Sequence, residues 1–382
     1  MKNNRTFLDK LLDGAEVEWK PLKKVCNFIS TGKLNANAMD ENGIYPFFTC
    51  NEKPYKINNY AFDMEAILIS GNGSQVGHLN YFKGKFNAYQ RTYVIGEFDN
   101  NTLVMYLYHY LNFKLRDYIT INSKKGSVPY ITLPMLEKFE IPIPPLSVQT
   151  EIVKILDALT ALTSELTSEL TLRRKQYEYY REKLLSFDSL ERLNMGGAKK
   201  KLIDVAIYAK VRILADKLDK ENYVGVENLL QNKLGKTSSN YVPTDGAFIE
   251  YLPNDILIGN IRPYLRKIWL SDRKGGTNGD VLVIRLTDDN ILPRYLYHIL
   301  ANEHFFEYNI KYSKGAKMPR GDKAAILQYE FDVPSLEEQH RIVSILDKFE
   351  TLTNSITEGL PLAIEQNQKR YEYYRELLLN FE

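Results

Sequence analysis

Three short stretches of this chain gather side chains that hydrogen-bond selectively to other molecules. Lys33, Asn35 and Asn37 follow Gly32; Asn72, Ser74 and Gln75 sit in a glycine-rich turn; Asn87, Gln90 and Arg91 lie in KFNAYQR. Asn and Gln amides can pair bidentately with adenine, and Arg with guanine, on the major-groove edge of DNA. The same residue types also serve as ordinary solvated loop polars, so type alone leaves both readings open. A later stretch is equally rich in donors: Asn260, Arg262, Tyr264, Arg266, Lys267, Lys274 and Asn278. A basic glycine loop occurs twice, SKKGS at 123–127 and SKGAK at 313–317, with Pro129 or Pro319 two residues later. Its lysines are Lys124 and Lys125 in the first copy, Lys314 and Lys317 in the second. Lys beside Gly suits phosphate contact, which positions a protein on DNA without reading sequence.

Motifs that look catalytic fail on spacing. Gly71-Asn72-Gly73 resembles the start of a dinucleotide fingerprint, but Val76 stands where the third glycine is needed. Gly235-Lys236-Thr237 resembles the end of a phosphate loop, but Leu230 occupies the place of its first glycine. Asn260-Ile261-Arg262-Pro263-Tyr264 is a faint echo of an adenine-methyltransferase motif, without its central prolines or a methyl-donor glycine motif. The histidines at 78, 109, 298, 304 and 340 are scattered, with no pair at i, i+4. His109 and His298 recur within YLYH, which predicts a repeated packing or hydrogen-bond role. Cys26 and Cys50 cannot build a disulfide framework or, alone, a four-ligand zinc site. No cofactor or metal is expected.

These loops need elements to position them, and the chain supplies one set twice. IVKILD at 152–157 returns as IVSILD at 342–347, YEYYRE at 177–182 as 371–376, and YLYH at 106–109 as 295–298. Such duplication predicts pseudo-two-fold architecture and two related binding sites. Residues 149–187 read as one helix, about 58 Å long at ~1.5 Å per residue. Its seam runs through Ile152, Leu156, Leu159, Thr163, Leu166, Leu170, Arg173, Tyr177, Tyr180, Leu184 and Phe187, alternating four and three. One helix cannot cover such a seam, so the second copy is its expected antiparallel partner. Four extra residues near Gly359 and Pro361 predict a break or kink there. Each helix follows a strand-rich unit, with strands expected at 66–70, 92–95, 256–259 and 281–286. Tyrosine-rich helical stretches follow at 103–118 and 292–308. The second unit, starting KKLIDVAIYAKVRI, shows no counterpart of GAEVEWKPL at 14–22 or of YPFFTC at 45–50.

Bulk properties bound the class. The 382 residues carry a net charge of only +2, so a generally basic binder is excluded. The small positive excess lies in the strand-rich units, and the helices are slightly acidic. No stretch approaches the ~18–20 apolar residues of a membrane span. MKNNRTFLDKLLDGAEVEWK has no apolar signal core, so a cytoplasmic location is expected.

GKLNANAM (32–39), YPFFTC (45–50), ILISGNGSQVG (67–77), KFNAYQRTYVI (85–95) and RRKQYEYYREKLL (173–185) resemble the specificity subunits of type I restriction-modification systems. The resemblance runs over essentially the whole chain. It implies two target-recognition domains alternating with two long antiparallel coiled-coil helices, an α+β fold with a pseudo-two-fold internal repeat. The expected boundaries are 1–148 and 196–338 for the recognition domains, 149–195 for the first helix and linker, and 339–382 for the second helix. The resemblance further implies a non-catalytic reader of double-stranded DNA. Each domain would read one half of a bipartite target, and the helices would set the spacer. Its implied partners are methylation subunits, two in number, and a restriction–translocation subunit. A self-contained adenine methyltransferase and a coiled-coil scaffold are the competing readings.

Overall fold

The computed structural model describes residues 7–122, 129–186, 198–355 and 357–381. The chain forms two compact units: Met1–Glu165 with Ile364–Glu382, and Leu166–Ala363. Each unit draws on both helical regions of the sequence.

In the first unit the strands are β1 (Glu18–Pro21), β2 (Cys26–Thr31), β3 (Tyr45–Phe48), β4 (Tyr55–Ile57), β5 (Phe62–Ser70), β6 (Leu79–Ala88), β7 (Thr92–Phe98) and β8 (Glu140–Ile143). Six form one sheet in the order β2-β7-β5-β6-β3-β4, antiparallel except where β3 runs parallel to β6. Side chains alternate along β5 with the strand period of two. Ile67 and Ile69 pack with the helix Val104–Asn122, with Ile152 and Leu156 of the long helix Leu146–Leu185, and with Leu378 and Leu379. Ala66 and Leu68 face a smaller cluster with Phe48, Phe86 and Val94. Both faces are thus covered, which explains the unbroken apolar run. Each buried aliphatic side chain contributes roughly 1.5–3 kcal/mol.

The second unit contains β9 (Ala198–Lys201), β10 (Ala206–Tyr208), β11 (Arg212–Leu214), β12 (Tyr223–Val224), β13 (Ala247–Tyr251), β14 (Ile256–Gly259), β15 (Ile268–Leu270), β16 (Gly275–Thr277), β17 (Val281–Leu286) and β18 (Glu330–Val333). Its strands make two four-stranded sheets, β10-β17-β14-β15 and β11-β13-β16-β12. In β14, Ile256 and Ile258 join the helix-side core, whereas Leu257 joins Tyr251, Val281 and Val283.

Within each unit the helical segments pack antiparallel. In the first, Ile152 and Leu156 share a core with Leu378 and Leu379, while Leu159 and Thr163 meet Asn367. In the second, Tyr177 and Tyr180 stack on Phe349 with ring centroids 6.1 and 5.7 Å apart, and Arg174 donates to the Thr353 carbonyl. The second helical region is two helices, Leu336–Asn354 and Gly359–Leu379. Ser355 Oγ accepts from the Thr357 and Glu358 N–H groups, and Gly359 takes φ +81. A Cβ at Gly359 would lie 2.6 Å from the Thr351 carbonyl oxygen, so glycine is required at this turn. Pro361 falls in the first turn of the new helix, where its missing N–H has no intrahelical partner to lose.

Several expectations are corrected. The second unit does have a counterpart of the 14–22 segment: β1 pairs with β8, and β9 pairs with β18 in the same way. Backbone hydrogen bonds make this short ribbon, so AKKK replaces EWKP without altering it. The parallel β3–β6 contact likewise has a counterpart in β12–β16, although YPFFTC itself is absent. The second tyrosine-rich helix is split into Pro293–Leu300 and Glu303–Lys311, where Asn302 caps the new start by accepting from the His304 N–H. Tyr180 keeps its interhelical stack on Phe349 but lies at the edge of the seam, 42% exposed, while Arg181 and Leu185 are buried. A straight helix drifts from a strict seven-residue seam, which moves the buried stripe by one position. Among the described residues, no helix is long and apolar enough to cross a membrane.

Candidate nucleic-acid interface

The internal repeat fixes the frame of each site through matched hydrogen bonds. Tyr106 Oη donates to the Pro142 carbonyl at 2.7 Å, and Tyr295 Oη to that of Asp332 at 2.8 Å. Gln149 accepts from the Leu103 N–H and donates to the carbonyls of Asn101 and Pro144. Gln339 repeats this with Leu292, Asn290 and Pro334. His109 Nε2 lies 2.7 Å from Asp157 Oδ1, and His298 Nε2 lies 2.8 Å from Asp347 Oδ1. Burial pushes both imidazoles below the ordinary histidine range although the carboxylates oppose it. Neutral rings then donate through Nε2–H and lock a helix to the sheet-bearing part of the same unit. Asp347 and Glu350 also receive the Arg294 guanidinium at 2.8 and 2.7 Å, so their charge is already balanced.

On this frame three loops meet beside the sheet of the first unit. The turn after β5 is tied to the turn between β6 and β7, since the Gly71 N–H donates to the Arg91 carbonyl at 2.9 Å. The Ile131 N–H donates to the Gly71 carbonyl at 2.8 Å, and Asn72 bridges to Tyr130. The segment after β2 joins them, the Gln90 N–H donating to the Leu34 carbonyl at 2.9 Å. Gly32 permits this approach, for a Cβ there would fall 1.8 Å from the Ala88 carbonyl oxygen.

The second unit builds the same junction from different side chains. The Asn260 N–H donates to the Asp280 carbonyl at 2.8 Å, and the Gly321 N–H to the Asn260 carbonyl at 3.2 Å. Ile261 bridges to Arg320, as Asn72 does to Tyr130. By this pairing Gly71 corresponds to Asn260, Gly73 to Arg262 and Arg91 to Asp280.

The structure thus brings most first-unit candidates together. Lys33, Asn35, Asn37, Ser74, Gln90 and Arg91 are exposed, and Asn72 and Gln75 are half-buried. Asn87 is turned inward: it is 4% exposed, and its amide bonds Asn59 and the Ala88 N–H. Lys124 and Lys125 lie outside the described residues. In the second unit Arg262 and Tyr264 are exposed, whereas Asn260 is buried. Arg266 is paired with Glu303 at 2.7 Å, Lys274 with Glu250 at 2.6 Å, and Lys314 with Asp322 at 2.5 Å. The Lys314 ammonium holds the Asp322 carboxyl below the usual range. Lys267 donates to the Val226 carbonyl at 2.7 Å, and burial lowers its pKa. Asn278 accepts from the Asp280 N–H, and Lys317 is exposed.

Sequence reasoning missed three features of these sites. Cys50 at the end of β3 places its thiol 3.3 Å from Asn72 Oδ1 and 3.5 Å from the Arg91 carbonyl. Arg320 pairs with Asp280 at 3.3 Å across two loops of the second junction. Gln149 and Gln339 were findable, because both precede the repeated I-V dipeptide at the same spacing.

Comparison with known proteins agrees with this duplicated design. The profile of the type I restriction modification DNA specificity domain matches residues 15–173 and again 196–366. A putative type I restriction enzyme specificity subunit of Haemophilus influenzae is 40% identical over 407 residues, covering 100% of both chains. A type I restriction enzyme specificity subunit of Escherichia coli is 32% identical over 411 residues, covering 98% of this chain and 97% of that one. The fold is similar to that of a type I restriction-modification S subunit from M. genitalium, with TM-score 0.59, 15% identity and coverage of 99% and 96%. With one profile matched twice and two relatives aligned nearly end to end, the chain belongs to the type I restriction-modification DNA specificity family.

Proposed function

We propose that this chain is the sequence-specific DNA-recognition subunit of a type I restriction-modification complex, and that it performs no chemistry itself. The observation carrying this reading is the duplicated three-loop junction, one backbone design bearing two different sets of donors. A shared scaffold with divergent side chains suits a bipartite target whose halves differ. The recognition regions are 1–148 and 196–338. The helical regions 149–195 and 339–382 set the spacer between the halves. Lys33, Asn35, Asn72, Ser74, Gln75, Gln90 and Arg91 supply the first contact surface, Arg262, Tyr264 and Asn278 the second. Lys314, Lys317 and the lysines at 124 and 125 meet phosphates. The partners are duplex DNA, two methylation subunits and a restriction–translocation subunit, in the cytoplasm.

Binding of the full chain, with its methylation partner, to duplex libraries randomised in both halves and in the spacer tests the reading. A bipartite consensus is expected. Lys314→Ala with Lys317→Ala should weaken all sequences alike and lower the salt slope by roughly 1–2. Binding without any sequence preference would refute the assignment.

A further inference from the structure

We propose that the two junctions present an unpaired arginine from different loops, and that Arg262 of the second unit reads a guanine for which the first unit has no equivalent reader. This rests on the DNA-recognition reading above. At the first unit's junction the exposed guanidinium is Arg91, between β6 and β7, and among the described residues no ion pair holds it. Its counterpart in the second unit is Asp280, a carboxylate already engaged by Arg320. The arginine appears instead at Arg262, whose counterpart Gly73 has no side chain.

The backbone marks Arg262 as a held position. Gly73 and Arg262 both take positive φ, +85 and +54. The left-handed region is natural for glycine and unfavourable for arginine. Residue 262 stays there because its N–H donates to the Pro319 carbonyl at 2.8 Å and its own carbonyl accepts from Leu265 at 2.9 Å. Strain of this kind persists where neighbours over-determine a conformation, and it concentrates at binding sites. Most of the surrounding cations are already engaged, and Lys317, though exposed, carries no planar fork of donors. Arg266, Lys267, Lys274, Lys314 and Arg320 each have a protein acceptor. Arg262 is exposed and has none among the described residues. A planar fork of donors on a rigid turn matches the O6 and N7 acceptors of guanine.

The test compares wild type with Arg262→Gly, Arg262→Ala and Arg262→Lys on the randomised duplex library, using the full chain with its methylation partner. Guanine preference at one position of one half-site should fall by roughly 5- to 150-fold in the Gly and Ala variants. The other half-site should be unchanged. Arg262→Gly removes the side chain at a position suited to glycine, so its retained melting temperature separates lost readout from lost folding. Arg262→Lys should recover only part of the preference, because an ammonium cannot pair bidentately. Unchanged base preference in all three variants would overturn the proposal. So would a loss uniform across sequences with a salt slope lower by about 1, the mark of a phosphate contact. A wild-type chain that selects no sequence would sink both this inference and the function beneath it.

Discussion

Replacing Asn367 by leucine should make the first unit more stable. Asn367 lies in the helix Gly359–Leu379 and is 3% exposed. Its Nδ2 donates to the Leu159 carbonyl at 2.8 Å and to Thr163 Oγ1 at 2.7 Å, across the helix pair of that unit. Its Oδ1 is buried with no hydrogen-bond partner. Losing two hydrogen bonds removes roughly 1 kcal/mol each. Thr163 still donates to the Leu159 carbonyl at 3.1 Å, so that acceptor keeps a partner. Removing the unsatisfied oxygen returns roughly 1–3 kcal/mol, and burying a leucine adds about 1.5–3 kcal/mol. Some of that gain is lost to repacking, since leucine is bulkier than asparagine. The net expectation is about 1 kcal/mol of added stability, a rise of roughly 2–4 °C in the melting transition of a unit this size. A buried asparagine at a helix seam also specifies register at the expense of stability. The variant should therefore tolerate a broader range of spacer lengths in the library assay. Thermal melting by circular dichroism and spacer selection together decide it. A drop in melting temperature, or a stabilised variant with an unchanged spacer range, would refute the reasoning.

Acidification should destabilise both units. The folded pKa values of His109 and His298 lie below the ordinary 6.5 because of burial, so below about pH 6.5 the unfolded chain binds protons that the folded chain does not. Stability is then full above pH 6.5 and falls with pH by up to about 1.4 kcal/mol per pH unit per histidine; an unfolding curve flat from pH 7 to 5.5 would refute this. Cys50 should report occupancy of the first site: DNA at tenfold its Kd should slow maleimide labelling of the thiol about tenfold, and an unchanged rate would place the DNA elsewhere. Gly32→Ala should destabilise the first unit and weaken readout of its half-site alone, since the added Cβ meets the Ala88 carbonyl oxygen at 1.8 Å; proteolysis and library selection would reveal both effects.

The repeated strings IVKILD, YEYYRE and YLYH determined the duplication, the helix pairing and the order of elements, because heptad spacing and internal repetition are properties of sequence alone. The break near Gly359 was equally legible, since Pro361 and four inserted residues leave few alternatives. Donor types in KFNAYQR and GNGSQ pointed to two loops of the first unit that the fold brings together. Tertiary structure decided which of those donors face outward. Asn87 and Gln90 are three residues apart, yet one bonds within the fold and the other is exposed. Strand alternation and a neighbour distant in sequence, Asn59, set that difference. The β9–β18 ribbon escaped notice because its hydrogen bonds are made by backbone, which AKKK and EWKP supply equally well. The ion pairs that occupy Arg266, Lys274 and Lys314 join residues 8 to 37 positions apart, so composition could not separate them from Arg262. The correspondence of Arg262 with Gly73 and of Asp280 with Arg91 became visible only through the shared pattern of backbone hydrogen bonds. Periodicity reveals which elements form; only the folded chain reveals which polar groups those elements leave unpaired.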